Sequence, residues 1–113
     1  MKVTPKAALA AVVAWSASGG AAGFDEVAAK AMYRSPANNC SKCHALDKEK
    51  IAPSYHQIAE KYKGDPEAER KLIEHINSGR LVKFPDGHEE EHRVVKETDP
   101  EQQRNLIQWI LAQ

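Results

Sequence analysis

The chain has 113 residues, the length of one domain, and its 42% hydrophobic and 28% charged residues exclude a disordered polar chain. Sixteen basic residues balance sixteen acidic ones, so no cationic excess exists to hold nucleic acid or an anionic membrane. Two cysteines exclude a multi-disulfide scaffold.

Lys2 and Lys6 give a positive start, Ala7 to Trp15 run apolar without a charge, and small residues fill Ser16 to Gly23. This three-part pattern predicts a secretory signal peptide over 1–23, with cleavage after Ala22 or Gly23. The apolar run falls short of the roughly 20 residues of a membrane span. The alternative is an N-terminal anchor retained in the mature protein. Without Lys2 and Lys6 the remaining domain, 24–113, carries a small net negative charge. So short a chain has a thin hydrophobic core and often gains stability from a cofactor or staple.

Phe24 to Tyr33 is the first predicted helix, with Phe24, Val27, Ala28, Ala31 and Met32 at helical spacing. Ser35-Pro36-Ala37-Asn38-Asn39 breaks it, Cys40 to His44 follows, and Asp47 to Pro53 is polar and loop-like. Ser54 caps a second helix whose stripe is Tyr55, Ile58, Ala59 and Tyr62, and Gly64 ends it. Asp65-Pro66-Glu67 opens a third, with Ala68, Leu72, Ile73 and Ile76 on one face and Gly79 as terminator. Arg80 to Thr98 keeps no period and has one turn signal, Phe84-Pro85-Asp86-Gly87. Asp99-Pro100-Glu101 opens the last helix, where Gln102 suggests a capping box and Leu106, Trp109 and Ile110 face the core. The expected fold is all-α, with no hairpin and one long loop near its end. A long loop in so small a domain is usually functional.

Cys40-Ser41-Lys42-Cys43-His44 is a C-x-x-C-H run. Two thiols three positions apart can each add to one vinyl group of a haem, and the adjacent histidine then supplies an imidazole to the iron. Three other chemistries use similar residues. A thioredoxin-like redox pair belongs to a βαβ pattern, and no strand pattern is visible. A structural disulfide leaves His44 unexplained. A zinc site with His88 and His92 would need a gap several times the roughly 12–15 residues of a compact finger.

The mature chain resembles class I c-type cytochromes, close to the small bacterial single-haem type. The resemblance runs through the opening helix, the C-x-x-C-H run, Ala52-Pro53 and Ile58-Ala59-Glu60-Lys61-Tyr62. It continues through Gly64-Asp65-Pro66-Glu67-Ala68-Glu69, Ile76-Asn77-Ser78-Gly79 and the closing helix with Trp109. It implies a small all-α fold of four or so helices wrapped around one covalent haem c. Cys40 and Cys43 would carry the thioethers and His44 would be the proximal ligand. The Pro53 carbonyl would accept the proximal imidazole N–H. Ala52 stands where the family usually has glycine, which predicts a slightly altered turn there. Trp109 would pack the last helix on the first.

The family's usual second ligand, a methionine in the loop before the last helix, is missing. Met1 lies in the signal segment, and Met32 fits the apolar face of the first helix. Counted back from the C-terminus without gaps, the family's methionine position falls on His92. Neutral imidazole is a good second ligand, so His92 is expected in that role, with His88 as the alternative. A pentacoordinate iron remains a third option. His56 and His75, beside charged neighbours, are expected to be solvated.

The resemblance implies a periplasmic one-electron carrier that is not an enzyme. It would dock transiently with redox protein donors and acceptors, with no nucleic acid and no small-molecule substrate. Contact with a membrane is expected only through a partner or an uncleaved N-terminus. Lys42, Lys48 and Lys50 near the motif are expected to be ordinary surface charge. Histidine in place of methionine and the Glu89-Glu90-Glu91 run both favour ferric iron, which predicts a low potential. The alternative function is gas binding or sensing at an open or displaceable sixth position.

Overall fold

The computed structural model describes residues 2, 3, 11 and 23–113; the predicted signal segment lies almost wholly outside the described residues. Among the described residues, five helices and one short hairpin follow in order: α1 (Glu26–Arg34), α2 (Cys40–Cys43), α3 (Tyr55–Lys61), α4 (Ala68–Ser78), β1 (Leu81–Lys83), β2 (Glu89–Glu91) and α5 (Pro100–Leu111). None of the described helices is long and apolar enough to cross a membrane.

Local chemistry sets most of the helix starts. The Asp25 carboxylate accepts the Ala28 N–H, and Ser54 and Gln57 form a reciprocal capping box on α3. Asp99 caps α5 by accepting the Glu101 N–H, with Pro100 in the first turn. The expected reciprocal partner Gln102 is not used. Glu97, two residues upstream, accepts the Asp99 N–H instead at 2.9 Å. An acid before the cap reaches that donor as easily as one after it.

The hairpin replaces part of the expected loop. Leu81, Val82 and Lys83 pair antiparallel with Glu91, Glu90 and Glu89. The Gly87 N–H closes the turn on the Phe84 carbonyl at 2.9 Å, with Gly87 at φ +92°. The Phe84 N–H then reaches the His88 carbonyl, so Pro85, Asp86 and Gly87 form a three-residue loop. Only three residues pair on each side, and β2 is uniformly acidic. Neither strand shows the alternating apolar pattern that reveals a half-buried strand.

α5 is the central element and packs against α1, α3 and α4. Trp109, Leu106 and Ile107 are each 1% exposed and form the core with Ala29, Met32, Tyr55, Leu72 and Ile76. Trp109 meets the rings of Tyr33 and Tyr55 at 5.8 and 5.7 Å, joining α5 to α1 and α3. The buried Gln103 exchanges hydrogen bonds with Asn77 of α4 and donates to the Glu97 carbonyl, so no polar group there goes unpaired.

Gly79 ends α4 in the left-handed region at φ +61°, and an added Cβ would lie 3.3 Å from Val94 Cγ2. This close approach lets the chain after the hairpin lie against the end of α4. The Val95 N–H bonds the Ile76 carbonyl and the His92 N–H bonds the Arg80 carbonyl, each at 2.9 Å. Gly79→Ala is expected to destabilise the fold by about 1–2 kcal/mol, from the left-handed backbone and the Val94 contact. A denaturant midpoint equal to that of the parent would contradict this.

Candidate haem site

α2 is a single turn, so Cys40 and Cys43 rise on one side of it and His44 leaves it in an extended conformation (φ −109°, ψ 136°). Asn39, the N-cap residue, sits in the left-handed region at φ 58°, which turns the chain sharply into α2. Both thiols are free and half-buried. Burial pushes the Cys40 thiol above its ordinary range, while a hydrogen bond with Tyr55 opposes that shift.

The loop after the motif folds back under His44. The Ala52 N–H bonds the Cys43 carbonyl, and the Tyr55 N–H bonds the Ala45 carbonyl, each at 3.0 Å. Pro53 is thereby placed with its carbonyl 2.7 Å from His44 Nδ1. A carbonyl can only accept, so Nδ1 carries the proton and Nε2 keeps its lone pair free. Ala52 in place of glycine leaves this contact intact. The Tyr33 hydroxyl donates to the His44 carbonyl at 2.7 Å, and the Tyr55 ring packs on the imidazole at 5.2 Å. Burial holds His44 below the usual histidine range, opposed by the Pro53 bond. Tyr55, assigned from the sequence only to an apolar stripe, is 3% exposed and touches both the thiol and the imidazole.

A cavity of about 560 Å³ opens above the motif between α2, α3, α4, the hairpin and α5. Ile51, Ile58, Leu72, Ile76, Leu106 and Ile107 give it apolar walls, and Cys40, Cys43, His44, Pro53, His88 and His92 all line it. The structure therefore brings every sequence-predicted site residue to one place. Met32 is in the core and does not line the cavity.

The two loop histidines differ in what holds them. His92 donates from Nδ1 to the Arg93 carbonyl at 2.9 Å, which leaves its Nε2 free as in His44. Its ring centre is 6.4 Å from that of His44. Two imidazoles bound to one metal ion from opposite sides, through nitrogens at about 2.0–2.1 Å, bring their ring centres to roughly 6–6.5 Å. His88 instead stacks on Phe84 at 4.4 Å, donates from Nδ1 to the Asp86 carboxylate, and has Nε2 3.5 Å from Glu90. Both its nitrogens face carboxylates.

His75 departs from the sequence expectation. It lines the cavity from α4, its ring centre 4.2 Å from His92, and burial first, then His92, pushes it down to about 4. A helix face cannot be told solvated or buried from charged neighbours alone; the cavity wall is made only when the 92–95 segment docks on α4. His56 is exposed and donates from Nδ1 to the Gln113 carbonyl at 2.8 Å.

A flat, largely apolar macrocycle with a central metal fits these residues. The apolar walls of the cavity suit the faces of such a ring, two thiols line one side, and His44 and His92, from separate parts of the chain, line it with Nδ1 tied to a carbonyl and Nε2 free of a partner. Among the described residues no cluster of His, Cys, Asp and Glu would by itself hold a bare metal ion.

The cytochrome c family model matches residues 26–113. Among solved structures, the chain is 53% identical to the class 1 cytochrome MtoD of Sideroxydans lithotrophicus ES-1, covering 79% of this chain and 96% of that one, with a TM-score of 0.73. It is 26% identical to wild-type cytochrome c552 of Nitrosomonas europaea, covering 77% and 96%, with a TM-score of 0.55. No curated protein sequence matches it. The family match over most of the chain and the likeness along nearly the whole of both solved structures agree with the cavity's chemistry. The chain belongs to the cytochrome c family, with the class I fold, covalently bound haem c and a role in carrying electrons between redox proteins.

Proposed function

We propose that this is an exported, low-potential electron carrier whose haem iron is held by two histidines, His44 and His92. The observation that carries it is the His44–His92 pair, 6.4 Å apart, each with Nδ1 tied to a backbone carbonyl and Nε2 free. Cys40 and Cys43 anchor the group through thioethers. The Pro53 carbonyl orients His44 and raises its basicity as a ligand. When bound, the haem supplies a one-electron Fe(III)/Fe(II) couple. The protein's part is to hold both imidazoles in place, keep water off the apolar walls and leave one edge accessible for transient docking. The signal pattern over 1–23 supports delivery to the periplasm, where covalent attachment of haem takes place.

Glu90 and Glu91 line the cavity. Negative charge there stabilises the ferric state more than the ferrous one, and histidine in place of methionine acts in the same direction. The potential is therefore expected below that of a His/Met relative measured alongside in a redox titration. A value as high as the relative's would refute the low-potential assignment.

The ligand assignment is tested by absorption spectroscopy of the exported protein. A low-spin ferric spectrum without a methionine–iron band is expected, and the ferrous protein should be indifferent to carbon monoxide. His88→Ala should leave both properties unchanged, because its nitrogens are engaged by Asp86 and Glu90. A high-spin native spectrum with ready carbon monoxide binding would instead indicate an open iron site and favour gas binding. An open site only in His88→Ala would move the ligand to His88.

A further inference from the structure

The bis-histidine assignment uses His44 and His92, and His88 is engaged by carboxylates, yet one further imidazole of the cavity, that of His75, has no assigned work. His75 projects from α4, a different element from the one carrying His92. Its ring centre lies 4.2 Å from that of His92, with the planes tilted by 53°, so the rings are in contact. Among the described residues its ring makes no hydrogen bond, whereas His44 and His92 each have Nδ1 tied to a carbonyl and His88 faces two carboxylates. His75 faces the cavity and the ring of His92, with His44, Arg80 and Lys61 also close enough to act on it electrostatically.

We propose that His75 is a reserve axial ligand, able to take the sixth position on the iron when His92 leaves it. The inference rests on His92 being the resident ligand. The exchange replaces one neutral imidazole nitrogen by another, so neither charge nor electron count changes. The two residues are held by separate parts of the chain. His92 belongs to the segment that pairs with Arg80 and Ile76 through the His92 and Val95 amides, and His75 belongs to α4 itself. Loosening of the 92–95 segment would therefore withdraw one ligand while leaving the other in place. A chain with a single distal imidazole would open its iron under the same motion.

The test compares the holoprotein with His75→Ala, His92→Ala and the double variant, by ferric absorption spectrum and by carbon monoxide binding to the ferrous form. Both single variants are expected to stay low-spin, and only the double variant to become high-spin. Carbon monoxide should bind His92→Ala at least about tenfold more weakly than the double variant, since apparent affinity falls with the fraction of iron left open. Added free imidazole should return the double variant to low spin, which shows that its site is open and folded. If His92→Ala is already high-spin and binds carbon monoxide as well as the double variant, His75 does not ligate, and the His44–His92 assignment stands. If His75→Ala alone opens the iron, His75 is the resident ligand and both proposals fail. A double variant that stays low-spin without added imidazole would place the ligand on another residue and also overturn both.

Discussion

The Cys40→Ser, Cys43→Ser double variant is expected to lose its covalent haem and, with it, a cooperatively folded domain. The cavity of about 560 Å³ lies between six of the seven described elements and has largely apolar walls. Left dry, a void of that size costs on the order of 10 kcal/mol at about 24 cal/mol per Å³. Flooded, it returns walls such as Leu72, Ile76, Leu106 and Ile107 to water. Either cost rivals the whole stability of a small domain, about 5–15 kcal/mol. The remaining core is thin: eleven hydrophobic residues are buried among those described, and several of them form the cavity wall as well. Haem staining after denaturing electrophoresis reports attachment, and circular dichroism on heating reports the fold. A haem-free double variant with parental helix content and a sharp thermal transition would sink the idea.

Trp109→Ala should cost about 3–5 kcal/mol, the range for deleting a fully buried large aromatic. Trp109 is 1% exposed and lies against both Tyr33 and Tyr55. Those tyrosines in turn hold the haem site: Tyr33 donates to the His44 carbonyl, and Tyr55 packs on the His44 ring. The loss should therefore reach the proximal side as well as the helix junction. In a domain of this size each kcal/mol lowers Tm by about 4–8 °C, so a fall of well over 10 °C is expected for the holoprotein. Trp109→Phe keeps most of the apolar contact and should recover more than half of it. A Trp109→Ala protein melting within a few degrees of the parent would show that the covalent group, not the helix junction, limits stability.

The helices were largely legible because their signals are local. Ser54, Asp99-Pro100 and Gly79 act on backbone groups within one turn, so four consecutive residues suffice to read them. The thiol pair and its neighbouring histidine are local in the same sense: one helical turn carries Cys40 and Cys43, and His44 follows in the chain. Met32 could be placed in the core from helical periodicity, and it is there. The hairpin is hidden in the sequence for the opposite reason. Its pairing of Leu81–Lys83 with Glu89–Glu91 has no apolar alternation, and its main visible cue was the turn at Phe84–Gly87.

By itself, the sequence determined the helical class, the starts of α3 and α5, the C-x-x-C-H chemistry and the absence of a distal methionine. Only the tertiary structure decided which imidazoles face the cavity together. His44, His75 and His92 are far apart in the chain, and their meeting depends on three separate dockings. Pro53 folds back under His44, Leu72 and Ile76 set the rotation of α4, and the 92–95 amides lock onto the carbonyls of Arg80 and Ile76. Chain spacing carries no information about such encounters, because each joins residues of separate elements rather than residues within any one of them. Hence a histidine with charged neighbours could be taken for a solvated one until the cavity wall existed around it.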